Sequence, residues 1–122
     1  GRAVEGTDMS LDDLRALTGA SEADINELIS AGLIAADARG RFAPQSLRIT
    51  RLALEAARLG LPLRNLRSVR TSAERAADSI DQATQSARRR SATAAEDSAT
   101  QLAGIVGQLH GELLHLAVRA LS

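Results

Sequence analysis

Arginines are the residues of this sequence whose type and spacing are best suited to binding chemistry. All 15 basic residues are arginine. Five of them fall on the third and fourth predicted helices: Arg48, Arg51, Arg64, Arg67 and Arg70. Guanidinium groups match phosphate and carboxylate geometry, so this set predicts an anion-binding site between the two helices. The sequence leaves one alternative open, a basic face that pairs with acids of the first two helices, within one chain or across a dimer.

The histidines do not form a pattern that is typical of catalysis or metal binding. His110 and His115 are five residues apart, which is roughly 140° around a helix, so their side chains diverge. The chain contains no cysteine. It also has no phosphate-cradling glycine loop and no nucleophile elbow. We therefore predict no enzyme activity, no metal site and no cofactor.

The formal net charge is zero, but acids and arginines occupy different parts of the chain. Residues 1–37 contain eight acids and two arginines, whereas residues 38–70 contain eight arginines and one glutamate. The second predicted helix carries Glu22, Asp24 and Glu27, which would repel phosphates if that helix lay in the major groove. Phe42 is the only aromatic residue, so base stacking on aromatic side chains is almost unavailable.

The elements that position these residues begin with a degenerate winged helix-turn-helix over residues 10–60. Two short helices are separated by a glycine turn, and two short strands, 33–36 and 41–43, form the predicted wing. A third helix follows. The predicted caps and ends of these helices are Ser10, Gly19, Ser21, Gly32, Pro44 and Gly60.

Residues 61–122 are predicted to form a long antiparallel helical hairpin, because apolar residues repeat there in heptad steps. The first arm presents Leu66, Val69, Ala73, Ala76, Ile80, Ala83 and Ala87. The second arm presents Ala95, Ala99, Leu102, Val106, Leu109, Leu113, Leu116 and Ala120, after a capping box of Thr93 and Glu96. The predicted fold class is therefore mainly α, with a small β-hairpin.

The last helix has more apolar surface than one partner helix needs. Leu114, Val118 and Leu121, next to His110, form a second patch outside the heptad face. A helix that is apolar on two sides is buried from two sides. The second partner is either the winged-helix part of the same chain or another subunit, and we favour a homodimer.

Length and segment composition favour a single domain over residues 10–122. Residues 1–9 are interpreted as a linker or tag remnant, so further parts of a parent chain are expected. No apolar run approaches the roughly 18 residues that span a membrane, and no secretory signal is present. The expected location is the cytoplasm, without membrane binding.

From Met9 to Leu121 the chain resembles the C-terminal domain of two-part MerR-type regulators of actinobacteria, a type associated with control of cell-division genes. The residues that carry the resemblance are Leu11, Leu14, Ala31, Gly32, Leu33, Ile34, Phe42, Leu63, Arg64, Asn65, Leu66, Arg67, Arg70, Ala73 and Arg75. In that family a separate N-terminal domain binds DNA. The Arg-rich and Tyr-rich recognition helix of the DNA-binding half is absent here.

The resemblance implies a regulatory domain that reaches DNA only through a missing N-terminal domain. Together with the apolar patch and the arginines described above, it leads us to predict that the domain dimerises and senses a small anionic effector. The alternative is a DNA-binding winged helix that contacts phosphates through arginines of the wing and of the third and fourth helices.

Overall fold

The computed structural model describes residues 7–122, which form five α-helices and one 3-10 turn. The helices are α1 (Leu11–Thr18), α2 (Glu22–Ser30), α3 (Gln45–Arg58), α4 (Arg67–Arg90) and α5 (Ala92–Arg119), and the 3-10 turn is Leu63–Leu66. The chain is mainly helical, as predicted. It divides into a first unit that ends at Thr71 and a second unit, Ser72–Ser122.

Capping residues set the limits of the first two helices. The Ser10 hydroxyl accepts the amide of Asp13 at 3.1 Å. Ser21 forms a reciprocal capping box with Asp24, and both hydrogen bonds are 3.0 Å long. Gly19 ends α1 at a φ of 76°, a conformation that costs glycine little. These contacts confirm the predicted caps of α1 and α2.

The core of the first unit is formed by one face of each short helix and by the 3-10 turn. Helix α1 packs against α3, and α2 packs against the 3-10 turn. The buried apolar residues are Met9, Leu14, Ala20, Ile25, Leu28, Ile34, Phe42, Leu47, Ala53, Leu63 and Leu66. Because Leu63 and Leu66 point inward, the arginines next to them are left on the surface.

Met9 belongs to this core, although the sequence placed it in the lead-in 1–9. Its side chain is fully buried. Its amide and carbonyl bond to the backbone of Phe42 at 3.0 and 2.7 Å, in an antiparallel bridge. The rest of the lead-in up to residue 6 lies outside the described residues.

The predicted wing strands, 33–36 and 41–43, are replaced by isolated bridges. Ala36 pairs with Phe42, which also pairs with Met9. The Leu33 amide is held by the carbonyl of Leu28 at the end of α2, at 2.9 Å, so the chain enters the turn directly from the helix. The Asp37 carboxylate then accepts the amides of Arg39 and Arg41 at 2.8 and 2.9 Å. The turn at Asp37 is closed, but only Ala36 and Phe42 pair beyond it, because Leu33 at the start of the first predicted strand is still bonded to α2.

The second unit contains most of α4 and all of α5, joined by Ser91 alone. The Ser91 hydroxyl accepts the amide of Ala94 at 2.9 Å, so Ser91 caps α5 in place of the predicted pair Thr93 and Glu96. Thr84, Ala87 and Ala95 are buried on either side of this junction. We infer from this burial that α4 and α5 cover each other beside Ser91.

The predicted heptad face of the first arm is wrong at Val69, Ala73 and Ala83, which are exposed. Thr84, next to Ala83, is buried. The Thr84 hydroxyl donates to the carbonyl of Ile80 at 3.0 Å. A threonine that bonds back to its own helix hides its polar group, so it can occupy an inward position. Toward the other end of α5, Leu109, Leu113 and Leu116 are exposed, so the predicted contact with the first arm does not extend to them.

Candidate functional site

A shallow cleft of about 210 Å³ lies in the first unit, between the end of α2 and the 3-10 turn. Its lining residues are Glu27, Ser30, Ala31, Arg64 and Arg67. The buried leucines of the 3-10 turn hold Arg64 and Arg67 at this surface, and the last turn of α2 supplies the opposite wall. The structure thus brings together two of the five arginines of the predicted anion site.

Arg67 also has a structural role at this cleft. Its Nη2 donates a 2.6 Å hydrogen bond to the carbonyl of Ser30. The last carbonyls of a helix have no partner within the helix and carry its partial negative charge, so a guanidinium there is favourable. Arg64 forms no hydrogen bond or ion pair with the described residues. Arg64 is therefore the guanidinium that is available to a ligand.

Arg70 lies next to the cleft, across the glycine that follows Ala31. Gly32 has a φ of 77°, and a β-carbon added there would lie 2.6 Å from Cδ of Arg70. The backbone conformation requires glycine at this position, and the flexible side chain of Arg70 occupies the space beside it. Arg70 is near the predicted anion site but does not line the cleft.

Arg48 and Arg51 are on α3 and do not line the cleft either. Arg51 Nη2 donates to the carbonyl of Leu17 at 3.3 Å, in the last turn of α1. Two of the predicted anion-binding residues therefore bond to backbone carbonyls near helix ends. Arg51 bonds to the last turn of α1, and Arg67 bonds to the last residue of α2.

Glu27 is the cleft residue that the sequence analysis missed as part of this site. It is exposed and sits one helical turn before Ser30 and Ala31. That spacing from the end of α2 was the available signal, because residues three and four apart share one helix face. With two guanidinium groups and one carboxylate, the cleft suits a small ligand that joins an anionic group to a hydrogen-bond donor.

The second predicted site, on α5, is more than half exposed among the described residues. Leu114, Val118 and Leu121 are 54%, 55% and 85% exposed. His110 is exposed too. Leu109, Leu113 and Leu116 lie on the same stretch and are more than half exposed. The C-terminal half of α5 is therefore apolar on several sides, and these side chains are exposed among the described residues.

Both histidines, His110 and His115, lie on α5. His115 Nδ1 lies 2.8 Å from the carbonyl oxygen of Gly111, one turn earlier in α5. Among residues 7–122, no three histidine, cysteine, aspartate or glutamate side chains lie close enough together to hold a metal ion. No helix in the same range has the length and apolarity needed to cross a membrane.

A family model described as "Rv1828-like, C-terminal domain" matches residues 7–122. A search of curated proteins finds no match.

Proposed function

Because the chain belongs to the family of Rv1828-like C-terminal domains, we propose that it dimerises and senses an effector for a MerR-type transcription regulator. DNA contacts are assigned to a separate N-terminal domain of that regulator, which would act in the cytoplasm. The domain itself contributes no catalysis. The single observation that carries this proposal is the uncovered apolar surface on the C-terminal half of α5.

Dimerisation is supported by how much of that surface a second copy can bury. Leu114, Val118 and Leu121 are each more than half exposed, and burying such side chains is worth roughly 1.5–3 kcal/mol each before the cost of association. A two-fold contact uses the same patch on both copies, so it removes the exposed patch from both at once. Contiguous apolar patches on soluble domains mark interaction surfaces.

We expect the wild-type chain to sediment at twice its chain mass at high micromolar concentration and to dissociate on dilution. Sedimentation equilibrium over a dilution series measures this directly. A single chain mass at every concentration would contradict dimerisation.

Effector sensing is supported by the cleft that Glu27, Arg64 and Arg67 line. Its volume of about 210 Å³ lies below the roughly 300–1,000 Å³ of pockets that enclose drug-sized ligands. The cleft therefore suits a small carboxylate or phosphate compound. Arg64 is the residue that we expect to bind the anionic group, since Arg67 already bonds to Ser30.

Replacing Arg64 and Arg67 together with alanine should abolish stabilisation by inorganic phosphate or by a small hydroxycarboxylate. A ligand adds RT ln(1 + [L]/Kd) to the free energy of unfolding, about 2.7 kcal/mol at a hundredfold excess over Kd. Thermal melts at constant ionic strength measure the effect, with Arg48→Ala as the control for loss of one surface charge. An unchanged ligand-dependent melting shift in the double variant would rule out this cleft as the site.

The charges of the first unit support leaving DNA contacts to another domain. Glu22 and Asp24 stand in the first turn of α2, where a recognition helix approaches bases and phosphates. Arg41, Arg51 and Arg67 donate to backbone carbonyls of Asp8, Leu17 and Ser30. A guanidinium that is held by its own backbone has fewer donors left for phosphate.

A further inference from the structure

Two leucines are exposed on the outward face of α3 and at its C-cap, which is Leu59. Leu52 is 67% exposed and Leu59 is 89% exposed. Leu47, Thr50 and Ala53 form the buried face of the same helix. Leu52 and Leu59 are seven residues apart, so they lie on one stripe, two turns apart, on the side away from that core.

Arginines flank this apolar stripe. Arg48, Arg51 and Arg58 are exposed on the same side of α3, with Glu55 as the only acid among them. Arg48 and Arg58 form no hydrogen bond or ion pair with the described residues, and Arg51 bonds only to the Leu17 carbonyl. The face is therefore both apolar and positively charged.

We propose that this face of α3, formed by Arg48, Arg51, Leu52, Arg58 and Leu59, binds an acidic amphipathic helix of a partner protein. We call it the α3 docking face. The inference lies outside the proposed function, because the cleft and the α5 patch share no residue with it. It gives Arg48 and Arg51 a role other than effector binding.

Charge complementarity and the leucine spacing identify the class of partner. A helix that presents apolar side chains seven residues apart has the same two-turn repeat of about 10.5 Å as Leu52 and Leu59. Acidic residues along one edge of that helix would meet the arginines, which are exposed and complementary in sign. Nucleic acid would pair with the arginines but leave the leucines in water, so the exposed leucines favour a protein partner.

The size of the face sets the expected strength of binding. One partner helix over a stripe of about two turns gives an interface at the small end of the known range, which is typical of transient complexes. Exposed charges along its edge make association sensitive to salt. We therefore expect micromolar affinity that falls as ionic strength rises.

The test uses the whole 122-residue chain and a labelled synthetic helical peptide of about four turns. The peptide carries leucines seven residues apart and glutamates along one edge, and fluorescence anisotropy measures its binding. The double variant Leu52→Asp, Leu59→Asp should weaken binding at least ~10-fold, the loss typical of removing anchor side chains. Both leucines are exposed, so circular dichroism should show an unchanged fold.

Ile29→Asp is the control for an aspartate at an exposed apolar position outside the face, since Ile29 is an exposed residue of α2. It should leave the affinity for the peptide within about two-fold of the wild-type affinity, which is well below a tenfold change.

Three results of the peptide assay would overturn the proposal: no binding by the wild type, equal binding of a peptide with lysine in place of glutamate, or equal binding by the double variant. Loss of self-association in Leu52→Asp, Leu59→Asp without peptide would assign the face to a second copy. A duplex DNA shift that requires Arg48 and Arg58 would assign it to nucleic acid, and both assignments contradict the proposal.

Discussion

Replacing Leu114 and Val118 with glutamate is expected to halve the sedimenting mass of the chain while leaving it folded. Both side chains are more than half exposed on α5 in the single chain, so charged replacements are well tolerated by the monomer. In a two-fold contact each substitution occurs twice, and each buried carboxylate loses its hydration without a partner. We expect the dimer dissociation constant to rise more than ~100-fold, which corresponds to about 2.7 kcal/mol.

The control places the same two charges elsewhere on the same helix. Gln101 and Gln108 are exposed polar residues of α5, so Gln101→Glu with Gln108→Glu should leave the dimer intact. Sedimentation equilibrium and circular dichroism on all three proteins separate the outcomes. If the patch instead packs within one chain, the Leu114 and Val118 variant loses stability at unchanged mass, and that result would refute the dimer contact.

The helix limits of the first unit are the part of the fold that the sequence predicted best, because they depend on local chemistry. A serine before an acid-rich turn and a glycine after an apolar stretch satisfy helix ends without reference to distant residues. Ser10 and Ser21 cap α1 and α2, and Gly19 ends α1 in the left-handed conformation. Such signals predict where a short helix lies, even when its partner is unknown.

The packing of the long helices was predicted less well because heptad spacing identifies a face but not what covers it. Leu109, Leu113 and Leu116 continue the repeat of α5, yet they are exposed. Thr84 takes an inward position that a search for apolar residues passes over, since its hydroxyl bonds to its own helix. Burial of this kind depends on the partner helix and on hydroxyl geometry, which periodicity does not contain.

Residue type and spacing predicted the arginine site. In the structure these arginines take different roles, depending on whether a helix end lies within their reach. Arg51 and Arg67 reach carbonyls in the last turn of α1 and at the end of α2. Arg64, between two buried leucines of the 3-10 turn, points into the cleft instead. The positions of distant helix ends depend on tertiary packing, so the spacing of the arginines alone gave no means to separate these roles.

The largest loss of stability is expected for Phe42→Ala. Phe42 is the only aromatic residue of the chain, it is buried in the core of the first unit, and its backbone bridges both Met9 and Ala36. Truncating a buried phenylalanine to alanine costs roughly 3–5 kcal/mol, from lost burial and from the cavity that remains. Small domains have about 5–15 kcal/mol in total, so this variant removes a large share of the stability.

Urea denaturation followed by circular dichroism measures the change, since the chain has no tryptophan or tyrosine for fluorescence. Phe42→Leu keeps most of the volume and should cost less than about 1.5 kcal/mol. It supplies a folded variant if Phe42→Ala does not fold.

Thr50→Val is the matched core control, because the Thr50 hydroxyl is buried and has no hydrogen-bond partner among the described residues. Removing an unpaired buried hydroxyl at constant shape is close to neutral or stabilising. A free energy of unfolding for Phe42→Ala within about 1 kcal/mol of the wild-type value would contradict this prediction, because truncating a buried phenylalanine usually costs roughly 3–5 kcal/mol. Phe42 would then not be the residue that fixes Met9 and the turn at Asp37 to the helices.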